Sequence, residues 1–388
     1  MMRAPRQPGN SEIAAWFLAQ NFAPHSALPS ERMLGELLGL SRFQVRQGLA
    51  ELAVQGLLEA TRDGWRMSAA DMLDFSRAIV VLTVKTVAPS PGEMTIANQS
   101  PRIWQGMETA AKMHGIRLVT VLATDFGPSF VRRLMRQRPL GLVFLHDVVE
   151  LGMALPVVQA AWSAEIPCVA LGDWIRPDEI DRWPADVVMS DHAGGIAALV
   201  HWLHARGVRR PWLVGWREQP PRPPSLWRNA RQAGYAAACS ALSLPLSPPI
   251  EPLGISNFSY DEESLIDQAR ILAGYILEPL ESGADAFLMM NDGPALIIGR
   301  ALQNLARIFT HDVQITGFDN CLTAFPATYL ALCGKKPAAT FDKDESANGV
   351  KIIEVLLKRI AGRLPSVPQR VLVPGQVVEC EPSVNGWL

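Results

Sequence analysis

Two kinds of apolar pattern divide this chain. From position 78 onward, short continuous apolar runs recur at 78–84, 116–123, 141–145, 167–171, 211–214, 287–290 and 313–316, separated by longer stretches with helical spacing such as 102–114, which Gly115 closes. Runs of strand length with no polar alternation belong to strands buried on both faces, and such strands joined by helices form parallel sheets. This many units predicts an α/β fold of two doubly wound lobes.

The residues before 78 keep a different rhythm. Pro29 and Ser30 mark a helix start, Met33, Leu34, Leu37 and Leu38 follow at helical spacing, and Gly39 ends the helix. Ser41 then caps a second helix, with Gln44 three residues later completing a capping box. Val45, Leu49 and Leu52 make its inward stripe, while Arg42 and Arg46 lie one turn apart on an adjoining face. After Gly56, residues 57–60 and 65–68 read as two short strands around Thr61, Arg62, Asp63 and Gly64, a β-wing beside the helix pair.

Two short helices, a tight turn and a wing suit the DNA major groove. A guanidinium contacts guanine O6 and N7 bidentately, and a good pair of this kind discriminates by about 1–3 kcal/mol. The competing reading is a small helical domain whose arginines are solvated surface. The residues themselves resemble the winged helix-turn-helix of the GntR family: Pro29 to Arg32, the turn Gly39 to Arg42, Val45-Arg46, and Leu52 to Leu57 meet its pattern. That resemblance covers about the first 68 residues. It implies that Arg32, Arg42 and Arg46 are the main DNA-contacting side chains, Ser41 and Gln44 helpers, and Gly64 the wing contact. The chain departs from the pattern at Phe43, where a small polar residue is common, and at the wing tip Asp63-Gly64-Trp65.

Composition supports more than one domain, since 388 residues with 48% hydrophobic content exceed the needs of a small DNA-binding module. The net charge is only −2, and residues 1–67 hold seven arginines, no lysine and six acidic residues, so no broad positive field is available and DNA affinity must come from local placement. The opening residues are polar and proline-rich rather than signal-like, no run is long enough to span a membrane, and five scattered cysteines argue against a disulfide framework. A cytoplasmic location without a membrane partner is expected.

Ligands in doubly wound folds bind at the carboxyl ends of the strands. Those ends carry Lys85-Thr86, His146-Asp147, Asp173-Trp174, Asp191, Asn291-Asp292 and Asp319-Asn320, groups that pair with hydroxyls. Any single Asp or Asn there can equally be a helix cap. From residue 78 on, the chain resembles the LacI/GalR type of effector-binding domain, itself similar to periplasmic sugar-binding proteins of type I. The carrying residues are Asp191 with Gly195, Gly207 to Arg210, Arg228 to Tyr235, Asn291-Asp292 with Ala295, Asp312 to Asp319, and Arg370 to Pro374. The resemblance places effector contacts at Arg231, Asn291, Asp319 and Lys343, with Asp173 as an acidic contact of the first lobe. Lys85 and the tryptophans Trp174 and Trp227 join this candidate set, although a tryptophan in a chain with eleven of them is more often core. Lys343 stands where a neutral amide is common and opens the way to an anionic effector. The proline-rich 219–225 loop and His311 also depart from the family.

No phosphate-binding loop, zinc-helix motif, nucleophile elbow or metal-like His/Cys cluster is legible, so no catalytic residue, metal or cofactor is expected. The two resemblances together imply a winged helix-turn-helix at 1–68, a linker at 69–77 and a two-lobed effector-binding and dimerisation domain at 78–388. They imply a homodimeric repressor whose hold on operator DNA is controlled by a sugar or sugar derivative. A small-molecule binding protein without DNA binding is the alternative, and a sugar-acting enzyme a more distant one.

Overall fold

The computed structural model describes residues 13, 16, 26–54, 58–62, 64–67, 75–83, 100–122, 128–145, 149, 152, 154–217, 225–253, 255, 262–309, 312–325 and 327–380. At the N-terminal end, Ser30 accepts from the Met33 amide at 3.3 Å and starts the helix Glu31–Leu38. Gly39 ends it at φ 68°, a left-handed conformation that costs glycine little. The second helix, Arg42–Val54, begins with the expected capping box: the Ser41 amide donates to Gln44 Oε1 at 2.9 Å, and the Gln44 amide to Ser41 Oγ at 3.3 Å. Antiparallel strands β1 (Leu58–Thr61) and β2 (Gly64–Met67) form the wing. Leu34, Val45, Leu49, Leu52 and Leu58 share one small core with Ile13 and Leu28. The first helix buries only Leu34 of its expected stripe. Met33 and Leu37 are exposed, because an eight-residue helix with one packing neighbour covers one narrow face.

The first lobe holds β3 (Ala78–Thr83), β4 (Arg117–Leu122), β5 (Gly141–Phe144), β6 (Cys168–Leu171) and β7 (Asp186–Ser190). The second holds β8 (Pro211–Val214), β9 (Ala286–Met289), β10 (Gln314–Phe318) and β11 (Ala339–Asp342). Of the last two strands, β12 (Arg370–Val373) returns to the first sheet and β13 (Gln376–Glu379) to the second. Among the described residues the sheet orders are β12-β7-β6-β5-β3-β4 and β13-β11-β10-β9-β8. Every described pairing in the lobes is parallel except β11 with β13, so the expected parallel sheets carry one antiparallel edge. The 3-10 turn Phe75–Arg77 falls in the stretch expected as linker, yet Phe75 is buried in the first lobe's core.

The chain passes between lobes after β7 into the helix His192–Ala205, after β11 through Lys343-Asp344 into the helix Glu345–Ile360, and between β12 and β13 through Pro374-Gly375. These passages run side by side. The Asp191 amide donates to the Val373 carbonyl at 2.9 Å, and a side chain at Gly375 would strike the Asp342 carbonyl. Asn348 Nδ2 ties two passages together by donating to the carbonyls of Lys343 and Asp344, each at 3.1 Å, and to Ser190 Oγ at 3.3 Å.

In the first lobe, the helices Ser100–Met113 and Glu345–Ile360 cross so closely that glycines occupy both sides of the contact. A Cβ on Gly106 would meet the Ser346 carbonyl, and one on Gly349 the Ile103 carbonyl. Backbone cannot yield as a flexible side chain can. Gly349→Ala is therefore expected to destabilise the protein by about 1–3 kcal/mol, read as a lower denaturation midpoint.

Candidate functional site

The outward side of the second helix presents Arg42 and Arg46, both well exposed, beside the wing. Glu31 at the start of the first helix holds both. Its Oε2 accepts from Arg46 Nη2 at 3.0 Å and from Arg42 Nε at 3.4 Å, while Oε1 accepts from Arg46 Nε at 3.2 Å and from the Trp65 indole at 3.5 Å. Arg46, then the other donors, lowers the Glu31 carboxyl below its usual range, and Arg46 is raised in return. One carboxylate thus aligns two candidate base-reading arginines with a wing tryptophan. Glu31 stands inside the motif that carried the resemblance, but no role for it was legible there. Arg32 is exposed and lies 3.9 Å from Glu36, a surface pair of little energetic weight. Ser41 and Gln44 spend their side-chain groups on the cap and on each other, with Ser41 Oγ donating to Gln44 Oε1 at 2.7 Å. Gly64, at φ 117°, leaves the wing turn open, with no atom within 4 Å of where a Cβ would stand.

In the larger domain the strand ends converge where the chain passes between lobes. Asp173 follows β6, Ser190 ends β7, Asn291 follows β9, Asp319 follows β10 and Lys343 follows β11. Asp319 is buried between cations, with Lys343 Nζ at 3.0 Å and Arg231 Nη2 at 3.3 Å from Oδ1, while Asn291 Nδ2 donates to Oδ2 at 2.7 Å. Arg231 also donates to the Met290 carbonyl, and its guanidinium lies 3.6 Å from the centre of the Phe318 ring and 4.7 Å from that of Trp227. Its Nε donates to His192 Nδ1 at 3.2 Å, so the proton of a neutral His192 resides on Nε2, 3.2 Å from Asp173 Oδ1. Asp173 in turn accepts from the Ser190 amide at 3.0 Å. Trp174, Trp216 and Trp227 flank this chain of groups, with Trp227 5.7 Å from Trp174 and 5.8 Å from Trp216.

Burial shapes the charges. Desolvation alone would raise the Asp173 carboxyl, but His192, Lys343 and the Ser190 amide outweigh it and take it down to about 2. Desolvation pushes His192 below its usual value against the opposing pull of Asp173. Lys343 is also desolvated, but Asp319 and Glu345 more than compensate and keep it charged. Two further carboxyls are pushed up to about 7, chiefly by burial: Asp292, which accepts from the Thr340 hydroxyl and the Cys321 amide at 2.7 Å each, and Glu345, 3.8 Å from Lys343.

The question of cap against contact resolves residue by residue. Asp191 is a cap, its carboxylate accepting from the Gly194 amide at 2.8 Å. Asn291 occupies a cap position but makes no cap bond, because its amide is turned to Asp319. Asp319 adopts φ 103°, a strained backbone of a kind concentrated at functional sites, pinned by its amide to the Phe341 carbonyl at 2.8 Å. Trp227 is 4% exposed and belongs to the second lobe's core, whereas Trp174 is half-buried. Among the described residues, the buried polar atoms here without a hydrogen-bond partner include Trp227 Nε1, Asn291 Oδ1 and Asn348 Oδ1, and His192 Nε2 has only its 3.2 Å approach to Asp173. Lys85 lies outside the described residues, as do His146, Asp147, His311 and 219–224. His192, Ser190 and Asn348 were absent from the expected set, whereas Asp292 stood among the strand-end groups. For His192 the available signal was its place directly after the strand-end Asp191.

These features define a two-part architecture: a winged helix-turn-helix followed by a two-lobed α/β domain of largely parallel sheets. Residues 10–65 match the family "Bacterial regulatory proteins, gntR family". The HTH-type transcriptional regulator Mce2R of Mycobacterium tuberculosis (strain CDC 1551 / Oshkosh) is 42% identical over 69 residues, 16% of this chain and 29% of that protein. The chain therefore spans under a third of that relative's length. Among solved structures, the LacI-family regulatory protein from Chloroflexus aggregans is similar with a TM-score of 0.56 and 22% identity, over 79% of this chain and 99% of the other. The lac repressor dimer bound to operator and the anti-inducer ONPF gives 0.54 and 19%, over 80% and 94%. The transcriptional regulator CelR in complex with cellobiose gives 0.53 and 18%, over 92% and 100%. At these identities the likeness is one of fold.

Asp292 generates a pH prediction. Its folded value near 7 lies above the ordinary 3.8, so it binds a proton more tightly in the folded state. The stability this contributes is complete below pH 3.8 and is lost as pH rises through 7. The stability difference between wild type and Asp292→Asn should therefore shrink across that window, measured by urea denaturation at successive pH values.

Proposed function

We propose that this chain is a ligand-controlled, DNA-binding regulator of transcription, acting as a cytoplasmic homodimer. The winged heads bind paired half-sites of operator DNA, with Arg42 and Arg46 contacting bases and Arg32, Ser41, Gln44 and Gly64 contributing around them. The effector occupies the strand ends between the lobes, against Arg231, Asn291, Asp319, Lys343, Asp173 and Trp174, with Trp227 and Lys85 beside them. The observation that carries this reading is the buried polar cluster at the passages between lobes, where a donor on Trp227 and an acceptor on Asn291 stand without hydrogen-bond partners. A sugar hydroxyl both accepts and donates, and so satisfies both.

The charges favour a neutral ligand over an anionic one. Arg231 and Lys343 are balanced within the cluster by Asp319 and Asp173, so Lys343 is no free cation awaiting a carboxylate. A ligand that prefers one lobe arrangement shifts the spacing of the heads, with typical coupling of about 1–3 kcal/mol. Release of DNA on sugar binding makes the protein a repressor. The chain has no catalytic role in this scheme, and incubation with a bound sugar should leave the sugar unchanged.

A thermal-shift screen of neutral mono- and disaccharides, cellobiose included, alongside sugar acids, should raise the melting temperature with neutral members only. A shift confined to the acids would reverse the charge argument. Arg42→Ala with Arg46→Ala should lose about 1–3 kcal/mol of operator discrimination for each broken guanine pair while leaving the thermal shift intact. If the wild-type protein bound no DNA from its own upstream region, with or without sugar, the regulator reading would fall.

A further inference from the structure

On the helix Arg42–Val54 the inward positions are Val45, Gly48, Leu49 and Leu52, so the opposite stripe at i, i+3, i+4 and i+7 is Phe43, Arg46, Gln47 and Ala50. Phe43 is 76% exposed, the most exposed phenylalanine among the described residues and well outside the head's core. It sits in the first turn, between Arg42 and the Arg46 of the next turn, both aligned by Glu31. An exposed ring whose helix neighbours Arg42 and Arg46 are charged is poorly placed for a protein partner of apolar character. It is well placed for a surface that alternates negative phosphate with apolar base methyls.

Resting on the DNA-binding reading above, we propose that Phe43 is a specificity-determining residue that reads the 5-methyl group of a thymine in the major groove, next to the guanine contacts of Arg42 and Arg46. The first residues of a recognition helix are those that reach base edges, and the thymine methyl is the one apolar feature the groove offers. A serine at this position has neither ring nor methyl group to make that contact. Phe43 thus sets a preference for thymine that the arginines alone do not supply. Because the ring lies outside the head's core among the described residues, the contact is gained on binding without disturbing the fold.

The test uses the purified full-length protein and a pool of random-sequence duplex DNA. Wild type should enrich a half-site with a fixed thymine, and Phe43→Ser should keep the guanines but lose that thymine, with Phe43→Leu intermediate. In the enriched duplex, replacing that thymine by deoxyuracil removes only the methyl and should weaken wild type about fourfold, the worth of one buried methyl group. Phe43→Ser should not respond to the replacement. Identical base preferences in wild type and Phe43→Ser, or a wild type indifferent to deoxyuracil at every thymine, would overturn the proposal while leaving the regulator reading standing. Enrichment of no sequence by wild type would overturn both.

Discussion

The larger domain is organised around one buried carboxylate. Asp319 faces Lys343 and Arg231 at 3.0 and 3.3 Å, and each of these cations is nearly excluded from solvent. Burying an unpaired charge costs several kcal/mol, so Asp319 cannot be withdrawn without taking the shared counter-charge from both cations. Their placement fixes much else. Arg231 orients His192, His192 faces Asp173, and Asp173 receives the Ser190 amide at the end of the first lobe's sheet. Strand ends of both lobes and two passages between them are therefore joined by one electrostatic chain, so a ligand that rearranges any member acts on the relative position of the lobes.

Much of this was legible in the sequence, for identifiable reasons. Strands buried on both faces announce themselves as apolar runs, and the expected runs at 141–145 and 211–214 correspond to β5 and β8 within a residue. The strands outside the expected runs were β7, β11, β12 and β13; Ala339–Asp342, for example, carries threonine and aspartate, and Gln376–Glu379 lies on an edge with polar ends. The capping box of the second helix follows from local chemistry alone, and its bonds form as expected. The first helix forms between Ser30 and Gly39 as expected, although helical spacing of Met33 and Leu37 marks a face without saying whether a neighbour covers it.

The site was legible as a set of strand ends and not as a network. Arg231, Asn291, Asp319, Lys343 and Asp173 do come together, whereas Asp191, equally placed in sequence, caps its own helix. What separates them is which way a side chain turns, a tertiary property that spacing does not encode. The same holds for His192 and Glu31, whose importance arises from partners 11 to 39 residues away. In a chain of net charge −2, Glu31 is also an economy: it keeps two arginines parallel without any surrounding positive field.

The passages between lobes also bear on how the chain is made. β12 pairs with β7 in parallel, Arg370 opposite Val187, and closes an edge of the first sheet with residues synthesised more than 180 positions later. Asp186, at the start of β7, waits for the same late segment, since its carboxylate accepts from Arg359 Nε at 2.8 Å and from the Gln369 amide at 2.7 Å. A nascent chain that has emerged through the second lobe thus still carries an unpaired strand edge and an unmet buried acid in the first. Contacts so distant in sequence are slow to close and leave edges open to wrong pairing in the meantime. Completion of the first lobe consequently waits for residues that follow most of the second, and neither lobe exists as a contiguous stretch that could be cut out and folded by itself.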